Sequence, residues 1–195
     1  MRLLSLLSGG IDSPVSAYLM LKRGFEVDFL HFYYSRDFEK IVDIISRLKD
    51  LFNYSPRLFV APHSRIVEIT RKYERRFTCV YCKISMLKCA EKLAEKINAQ
   101  GLLMGDSLGQ VASQTIQNLF VEDRAVKIPV LRPLIGLDKV EIIDISRKAG
   151  LYEISIRKTV PCPAVPEKPA TSVSIDRIDL GVDVSEAAEF EEIQI

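Results

Sequence analysis

Short apolar runs alternate with longer amphipathic segments along most of the chain, and this alternation constrains the fold more than any other feature. The apolar runs lie at residues 2–7, 26–33, 57–61, 101–105 and 128–131. Segments with helical periodicity follow them, at residues 13–23, 36–52, 64–76, 83–98, 110–120 and 138–149. Strands joined by crossover helices pair in parallel and are covered on both faces. We therefore expect a three-layer α/β/α sandwich with a mostly parallel, five-stranded sheet.

The length and the charge distribution indicate one domain with a distinct tail. A chain of 195 residues can bury one sizeable core but not a second large one. The final 20 residues carry seven acidic side chains and one arginine, so residues 1–175 hold a net +7 within a total of +1. A Pro-rich stretch at residues 161–169 ends the regular pattern. We expect one domain over residues 1–170 and an acidic C-terminal extension over residues 171–195.

The sequence shows neither a secretory signal nor a membrane-spanning segment. The N-terminal apolar run ends at Ser8, and no run approaches the roughly 18 apolar residues of a transmembrane helix. We expect a cytoplasmic protein without a membrane partner. Its four cysteines are then expected to be ligands, redox groups or buried packing, with the disulfides of hyperthermophile proteins as the exception.

The strongest local motif is SGGIDS at residues 8–13, between the first strand and the first helix. Gly9 and Gly10 allow a tight turn and a close approach to an anion, which a helix N-terminus attracts. Asp12 would repel a phosphate unless a cation lay between them, so it indicates Mg²⁺ bound to a pyrophosphate group. A bare Gly-Gly pair would suit a simple capped turn equally well. The lysine of a Walker A loop is absent, which argues against an ordinary P-loop NTPase.

This string resembles the PP-loop of ATP pyrophosphatases, which cleave ATP between its α and β phosphates and leave an adenylated substrate. Two later motifs narrow the resemblance, GDSLGQVASQT at residues 105–115 and RPLIGLDK at residues 132–139. Together the three motifs resemble the tRNA sulfurtransferase family, the 4-thiouridine synthases that are also tied to thiazole formation in thiamine biosynthesis. The resemblance covers roughly residues 1–170. It implies that ATP adenylates a tRNA uridine at its C4 oxygen, after which sulfur attacks C4 and AMP leaves.

The resemblance also assigns residues, position by position. The ATP-contact positions are Leu6, Leu7, Ser8, Gly9, Gly10, Asp12, Ser13, His31, Phe32, Lys83, Gly105 and Gln114. Lys83 stands where an arginine is common, which keeps the charge but loses the bidentate fork. Lys139 matches the family's catalytic lysine and is expected to stabilise the charge that develops as pyrophosphate leaves. Asp138 is expected to cap the helix that Lys139 begins, and His31 would equally suit an ordinary strand end.

The cysteines carry the sulfur chemistry that the resemblance implies. Cys162 matches the family's sulfur-handling cysteine, and Cys79 and Cys82 form a C-x-x-C motif. As in archaeal relatives, these three thiols would suit a 4Fe-4S cluster with one iron open to exogenous sulfide. A persulfide on Cys162, a redox dithiol in the C-x-x-C motif, a structural zinc site and a thermophile disulfide remain alternatives. Cys89 lies on an apolar helical stripe and is expected to pack in the core.

Family members usually carry a ferredoxin-like region and a THUMP domain that bind tRNA, and neither is recognised in this sequence. The resemblance therefore implies that tRNA binds through a basic face, a homodimer or a separate THUMP-containing protein. The basic face would consist of Arg71, Lys72, Arg75 and Arg76 with the lysine row Lys83, Lys88, Lys92 and Lys96. Sulfur would come from sulfide or from a persulfide carrier.

Two other functions stay open at this stage. The chain could adenylate a small molecule for amidation or thiolation, or it could be a non-catalytic ATP-binding module that serves a partner. An amidating enzyme has no use for the cysteines. An intact Asp12 and Lys139 disfavour a non-catalytic module.

Overall fold

The computed structural model describes residues 1–111, 113–158, 160 and 162–195. Its strands are β1 (Arg2–Leu6), β2 (Glu26–Tyr33), β3 (Leu58–Pro62), β4 (Gly101–Leu103), β5 (Val130–Leu131) and β6 (Glu191–Ile193). Its α-helices are α1 (Asp12–Lys22), α2 (Glu39–Phe52), α3 (His63–Thr70), α4 (Thr78–Ile97), α5 (Ile116–Asp123), α6 (Lys139–Lys148) and α7 (Tyr152–Ser155). Short 3₁₀ turns lie at Arg75–Phe77, Ile175–Arg177 and Ser185–Ala187.

The sheet has the strand order β5-β4-β1-β2-β3-β6, and the first five strands pair in parallel. The mostly parallel α/β architecture is therefore confirmed. The prediction of five strands was wrong, because the described residues include a sixth strand, β6, which runs antiparallel to β3 at the edge. This strand has only three residues, two of them glutamates, and so lacks the apolar signal of a strand.

Successive apolar side chains of β1 point to opposite faces of the sheet, and both faces are buried. Leu3 packs in a core cluster with Met20 of α1 and Ile44 of α2, and it has no solvent exposure. Leu4 packs on the opposite face in a cluster with Leu87 of α4. The near-continuous apolar strand at the N-terminus follows from this double burial.

Several helix boundaries differ from the expected ones, three of them by five or six residues. Helix α3 ends at Thr70, because a 3₁₀ turn at Arg75–Phe77 separates it from α4 without a Gly or Pro signal. Helix α4 begins at Thr78, five residues earlier than the periodicity indicated, and so contains the C-x-x-C motif. Helix α5 begins at Ile116 instead of residue 110, because the Thr115 side chain accepts a hydrogen bond from the backbone of the first turn.

The acidic C-terminal segment packs along α3 and α4. Val173, Ile178, Val182, Val184 and Ala187 are buried in one cluster with apolar residues of these helices. No helix among the described residues is long and apolar enough to cross a bilayer.

The strand order places the carboxyl ends of β1 and β4 at a point where the chain reverses direction across the sheet. The chain runs from β1 through β2 to β3, and then crosses to β4 on the other side of β1. Open α/β sheets bind ligands outside the strand ends at such a switch point. The segment 8–13 leaves β1 at this place.

Candidate active site

A cavity of about 550 Å³ opens at the carboxyl ends of β1, β2 and β4. Of the residues predicted from sequence, twelve line it: Leu6, Leu7, Ser8, Gly9, Gly10, Asp12, Ser13, His31, Phe32, Gly105, Gln114 and Cys162. Lys83 and Lys139 are not among the described residues that line this cavity, although each pairs with an aspartate that does. The structure thus gathers most of the predicted positions around one space.

The loop at residues 8–13 is held in shape by its own hydroxyls. The Ser13 Oγ atom accepts a hydrogen bond from the Ser8 backbone at 2.8 Å and lies 3.0 Å from Ser8 Oγ. The Gly10 N–H donates to Ser8 Oγ at 3.3 Å. Helix α1 begins within the loop, at Asp12, so the helix dipole favours an anion in the cavity.

Gly105 allows the end of β4 to lie directly against this loop. A Cβ atom at Gly105 would lie 2.6 Å from the Ser13 backbone nitrogen and 2.7 Å from its Cα atom. Any side chain here would therefore push the loop away from the sheet. Behind the contact, Ser16 of α1 donates to the Met104 carbonyl at 2.8 Å and fixes the helix to the same strand end.

Lys139 reaches the cavity margin through an ion pair with Asp12. The Lys139 Nζ atom lies 2.5 Å from Asp12 Oδ1, and the two side chains are 44% and 24% exposed. The capping prediction is confirmed, because Asp138 accepts from the Glu141 backbone and Glu141 accepts from the Asp138 backbone. This capping box fixes where α6 begins, and therefore where Lys139 projects.

Asp106 forms the centre of a buried charge network beside the cavity. Its carboxylate accepts from Lys83 at 2.8 Å, from Arg132 at 3.0 Å and from Gln114 at 3.3 Å. Burial alone would raise the pKa of Asp106, but these two cations outweigh it and hold the pKa below its usual value. Lys83 therefore points into the protein, and it meets the cavity only through Asp106.

Glu122 completes this network and was missed by the sequence reasoning. It is fully buried on α5, with Lys83 at 3.5 Å and Arg132 at 3.9 Å from its Oε2 atom. Burial raises the pKa of Glu122 to about 8, although the neighbouring cations oppose that rise. The available signal was an acid that directly follows the apolar run at residues 119–121, but the helix was expected to end at residue 120.

A second cavity, of about 160 Å³, lies beside the first and contains the cysteines. Cys79, Cys82 and Cys162 all line it, together with Lys83. Cys162 also lines the larger cavity, so its side chain stands where the two spaces meet. Cys89 is fully buried in the core away from both, as predicted.

All four cysteines are free thiols in this structure. Burial raises the pKa of Cys82 to about 12, and the other two cysteines of the cavity add to the effect. Burial likewise raises the pKa of Cys79. Within the described part of the chain, no group of three or more His, Cys, Asp or Glu side chains is arranged to hold a single metal ion.

Two residues that the sequence reasoning did not select contact the cysteines. The Tyr34 hydroxyl donates to Cys162 Sγ at 2.9 Å. The His63 Nε2 atom lies 3.4 Å from Tyr34 Oη and 3.4 Å from Cys82 Sγ. Burial lowers the pKa of His63 to about 4, so its ring is neutral near pH 7. Their positions, directly after β2 and β3, were the signal that would have found them.

His31 lines the cavity, but its side chain is engaged in the sheet. The His31 Nδ1 atom donates to the Leu7 carbonyl at 2.8 Å and thereby joins the ends of β1 and β2. Burial lowers its pKa, and the backbone hydrogen bond opposes this only in part. The ring therefore shapes the cavity wall as a neutral group.

The lysine row on α4 is engaged only in part, so the expected basic face keeps Lys92 and Lys96 as its exposed members on this helix. Lys83 is buried in the charge network, and Lys88 donates to the Val182 carbonyl at 3.0 Å. The Lys96 ammonium lies 5.8 Å from the centre of the Phe190 ring. The other cations of the expected face, at residues 71, 72, 75 and 76, are exposed and lie in the chain between Thr70 and Thr78, which both line the cysteine cavity.

Sequence comparisons identify relatives over nearly the whole chain. The profile of the thiamine biosynthesis protein (ThiI) family matches residues 1–184. A probable tRNA sulfurtransferase of Thermococcus kodakarensis is 43% identical over 175 residues, which are 86% of this chain and 46% of the relative. Another, of Caldanaerobacter subterraneus subsp. tengcongensis, is 45% identical over 181 residues, 89% of this chain and 47% of the relative. The chain spans about half the length of the curated relatives it matches.

A structural comparison agrees with the sequence comparisons. The crystal structure of a 4-thiouridine synthetase–RNA complex with bound ATP superposes with a TM-score of 0.88 at 33% sequence identity. The match covers 99% of this chain and 55% of that chain. The architecture is that of the PP-loop ATP pyrophosphatases, as the motif at residues 8–13 predicted. The profile match over residues 1–184 and the shared identity show that the chain belongs to the ThiI family.

Proposed function

We propose that this chain is the ATP-activating and sulfur-transferring unit of a tRNA sulfurtransferase that makes 4-thiouridine. One observation carries the proposal: Cys162 lines both the cavity built by the PP-loop and the cavity that holds the other two thiols. A substrate activated in the larger cavity would lie next to a sulfur-bearing group from the smaller one. Neither an amidating enzyme nor a passive ATP-binding module needs this junction.

We assign the larger cavity to ATP. Its loop at residues 8–13, the adjoining helix N-terminus and the close approach at Gly105 suit a polyphosphate. The solved relative with bound ATP, at 33% identity, supports the same ligand. The ATP-contact positions predicted from sequence are retained in this proposal, with Lys83 acting through Asp106 and not by direct contact.

Asp12 and Lys139 are assigned to the phosphates. The Asp12 carboxylate, partly exposed at the cavity, is a suitable oxygen ligand for Mg²⁺, which would neutralise the pyrophosphate charge. When Asp12 turns to such a cation, Lys139 loses its partner and is free to contact the phosphates. Its ammonium would then stabilise the charge that develops as pyrophosphate leaves.

The reaction balances without an oxidant or a reductant when hydrosulfide supplies the sulfur. The uridine C4 oxygen attacks the α-phosphorus of ATP, the bond to the β-phosphate oxygen breaks, and pyrophosphate leaves. Hydrosulfide then attacks C4, the bond from C4 to the AMP oxygen breaks, and the sulfur-bound proton passes to solvent. The products are 4-thiouridine, AMP and pyrophosphate. A persulfide on Cys162 would additionally require a thiol reductant.

We assign a 4Fe-4S cluster to the three thiols of the smaller cavity, because Cys79, Cys82 and Cys162 all line one space and thiolates are the usual cluster ligands. Each thiolate of a cluster binds a different iron, so the three sulfurs need not surround a single ion. Such a cluster would supply an open iron that binds exogenous sulfide. The two cysteines of α4 lie three residues apart and so share one helix face. In this proposal Cys162 closes the site from the loop that follows α7.

We infer that tRNA reaches the site across the exposed cations at residues 71, 72, 75 and 76, which lead to the cysteines of α4. Further contacts would come from a THUMP-containing partner or a second copy of the chain. We further propose that the reaction takes place in the cytoplasm. Residues 1–170 would form the catalytic domain, with residues 171–195 packed on its outer helices.

The test is anaerobic thiolation of an unmodified tRNA with ATP, Mg²⁺ and sulfide, read by mass spectrometry of the nucleosides. We expect 4-thiouridine, AMP and pyrophosphate in equal amounts, with a THUMP-containing protein added if tRNA binds weakly. Cys162→Ala should abolish thiolation, while Cys89→Ala, in the core, should not. Thiolation that survives Cys162→Ala would contradict the sulfur assignment. AMP formation that does not depend on tRNA would contradict the proposal that tRNA is the substrate that ATP adenylates.

A further inference from the structure

The side chain of Cys162 is tied to the sheet by one neighbouring residue. Within the part of the chain that the structure describes, its sulfur makes a single hydrogen bond, to the Tyr34 hydroxyl at 2.9 Å. We propose that Tyr34, supported by His63, is a positioning residue that donates to the Cys162 sulfur and holds it at the junction of the two cavities. The role in sulfur transfer rests on the proposed function; the effect on Cys162 itself does not.

The fold brings these two residues together at one sheet edge. Tyr34 directly follows β2, and His63 directly follows β3, its parallel neighbour. Their rings lie 4.4 Å apart between centroids, tilted by 40°. His63 is further packed edge-on against Phe32, at 6.4 Å. The tyrosine is therefore held by the rigid end of the sheet, although its hydroxyl reaches a loop residue far along the sequence.

The direction of the hydrogen bonds is fixed by the number of protons available. Tyr34 has one O–H, and it donates to Cys162. Toward His63, Tyr34 Oη then accepts, so we place the proton of the neutral ring on Nε2, which also lies 3.4 Å from Cys82 Sγ. The His63 Nδ1 atom is buried without a hydrogen-bond partner among the described residues, which suits a nitrogen that carries no proton. The chain of donors thus runs from His63 to Tyr34 to the sulfur.

Other contacts hold the start of the loop but leave Cys162 itself unrestrained. The Lys40 ammonium donates to the carbonyls of Ser155 and Arg157, at 2.8 Å and 2.6 Å. Arg157 also forms an ion pair with Asp43. Cys162 lies five residues beyond this point and is exposed. Without Tyr34, nothing in the described contacts would direct its sulfur toward the cavities.

A hydrogen-bond donor that faces sulfur also stabilises negative charge on it. This matters for a thiolate, a persulfide or a metal-bound sulfur, each of which accepts hydrogen bonds. Losing a hydrogen bond to a charged acceptor disfavours the charged form, relative to the neutral one, by roughly tenfold or more. Tyr34→Phe removes the donor and keeps the ring that packs on His63, so the fold should persist.

The first measurement needs no catalytic activity. Reduced proteins of equal iron content are treated with iodoacetamide at one fixed pH, and the alkylation of Cys162 is followed by mass spectrometry. The tryptic peptide that ends at Arg177 contains Cys162 as its only cysteine. We expect Tyr34→Phe to slow this alkylation about tenfold. An unchanged or faster rate would overturn the proposed donor role.

The matched control is Tyr33→Phe, which removes a hydroxyl one residue earlier. The Tyr33 hydroxyl accepts a hydrogen bond from Arg36 at 3.3 Å, and its ring packs against a core cluster that contains no cysteine. This variant should alkylate at the wild-type rate. If the alkylation of Cys162 slows equally in both variants, any change at the end of β2 has this effect, and the assignment to Tyr34 fails.

The second measurement separates the two half-reactions of the proposed function. Tyr34 also lines the larger cavity, so the informative quantity is the difference between the two steps. Tyr34→Phe should slow the first turnover of 4-thiouridine about tenfold more than the first-turnover formation of pyrophosphate. Equal losses in both steps would indicate a merely structural role and overturn the positioning role. If wild-type protein forms no 4-thiouridine at all, the proposed function fails, and the alkylation result still decides the role of Tyr34.

Discussion

Two lysine–aspartate pairs lie at the same edge of the sheet and differ in exposure. Lys139 and Asp12 are 2.5 Å apart, with side chains 44% and 24% exposed. Lys83 and Asp106 are 2.8 Å apart, with side chains only 14% and 4% exposed. The first pair is screened by water and can be opened by a ligand at little cost. In the second pair, each partner takes the place of the water that would otherwise solvate the other. Opening this pair would leave buried charges without compensation.

In the proposed function, the exposed pair takes part in the reaction and the buried pair shapes the site. An exposed ion pair contributes about 0–1 kcal/mol to folding, so its loss should cost the protein little stability. A buried pair must persist once the charges are inside, because removing one partner exposes the desolvation cost of the other. We therefore expect variants of Lys83 to affect the fold and variants of Lys139 to affect the chemistry.

The largest effect is expected for Lys83→Met, measured as the free energy of unfolding in urea. Asp106 keeps Arg132 but loses its closest charged partner in a buried site, so the variant should be destabilised by about 3 kcal/mol. Lys92→Met, an exposed change on the same helix, should alter stability by less than about 0.5 kcal/mol. Equal stability of the two variants would remove the distinction between the pairs.

Lys139→Ala should show the opposite pattern. The rate of tRNA-dependent AMP formation should fall by about 10² to 10³, because the variant lacks the ammonium that we propose stabilises the leaving pyrophosphate. The free energy of unfolding should change by less than about 1 kcal/mol, since the pair is exposed. Lys148→Ala, at the other end of α6, should retain both activity and stability. A loss of stability like that of Lys83→Met would show that Lys139 is structural.

The contrast between the two pairs could be predicted from the sequence only in part. The motif at residues 8–13 and the Asp138 cap are local, so their residues indicated the turn, the helix start and the place of Lys139. Lys83 was also selected, but its direction depends on where α4 begins and on carboxylates more than 20 residues away. No periodicity in one segment reveals that a cation will turn inward.

The same reason explains the residues that sequence reasoning missed. Tyr34 and His63 follow neighbouring strands, and their meeting with Cys162 depends on the fold of a distant loop. Strand β6 is too short and acidic to be recognised; it pairs antiparallel with β3, and Glu191 forms an ion pair with Arg36 at 2.8 Å. Local patterns thus predict elements and turns, whereas long-range charge pairing decides which side chains meet.

The pH dependence of folding stability tests the buried charge network through Glu122. Its pKa is raised to about 8 from 4.5 by burial, and Lys83, Asp106 and Arg132 are the charged groups around it. Between these values the folded protein retains a proton that the unfolded chain has lost. The stability from this group is therefore fully present below about pH 4.5 and is lost as the pH rises through about 8.

Glu122→Gln should flatten this dependence. We expect the melting temperature of the variant, relative to wild type, to increase steadily from pH 5 to pH 8. Glu153→Gln, on the short helix α7 and outside the network, should follow the wild-type curve. Parallel curves for wild type and Glu122→Gln would show that Glu122 is ionised in the folded protein across this range.

The smallest effect is expected for Asp138→Ala, which removes the capping box ahead of Lys139 without touching either lysine–aspartate pair. Loss of an N-cap side chain costs about 1 kcal/mol of stability, which is less than the loss for Lys83→Met. AMP formation should fall only a few-fold, roughly as expected for a first helical turn that frays and moves Lys139. Asp144→Ala, exposed on the same helix, should change neither quantity. If Asp138→Ala instead abolished AMP formation as completely as Lys139→Ala, Asp138 would belong to the chemistry, and the exposed site would contain a second carboxylate beside Asp12.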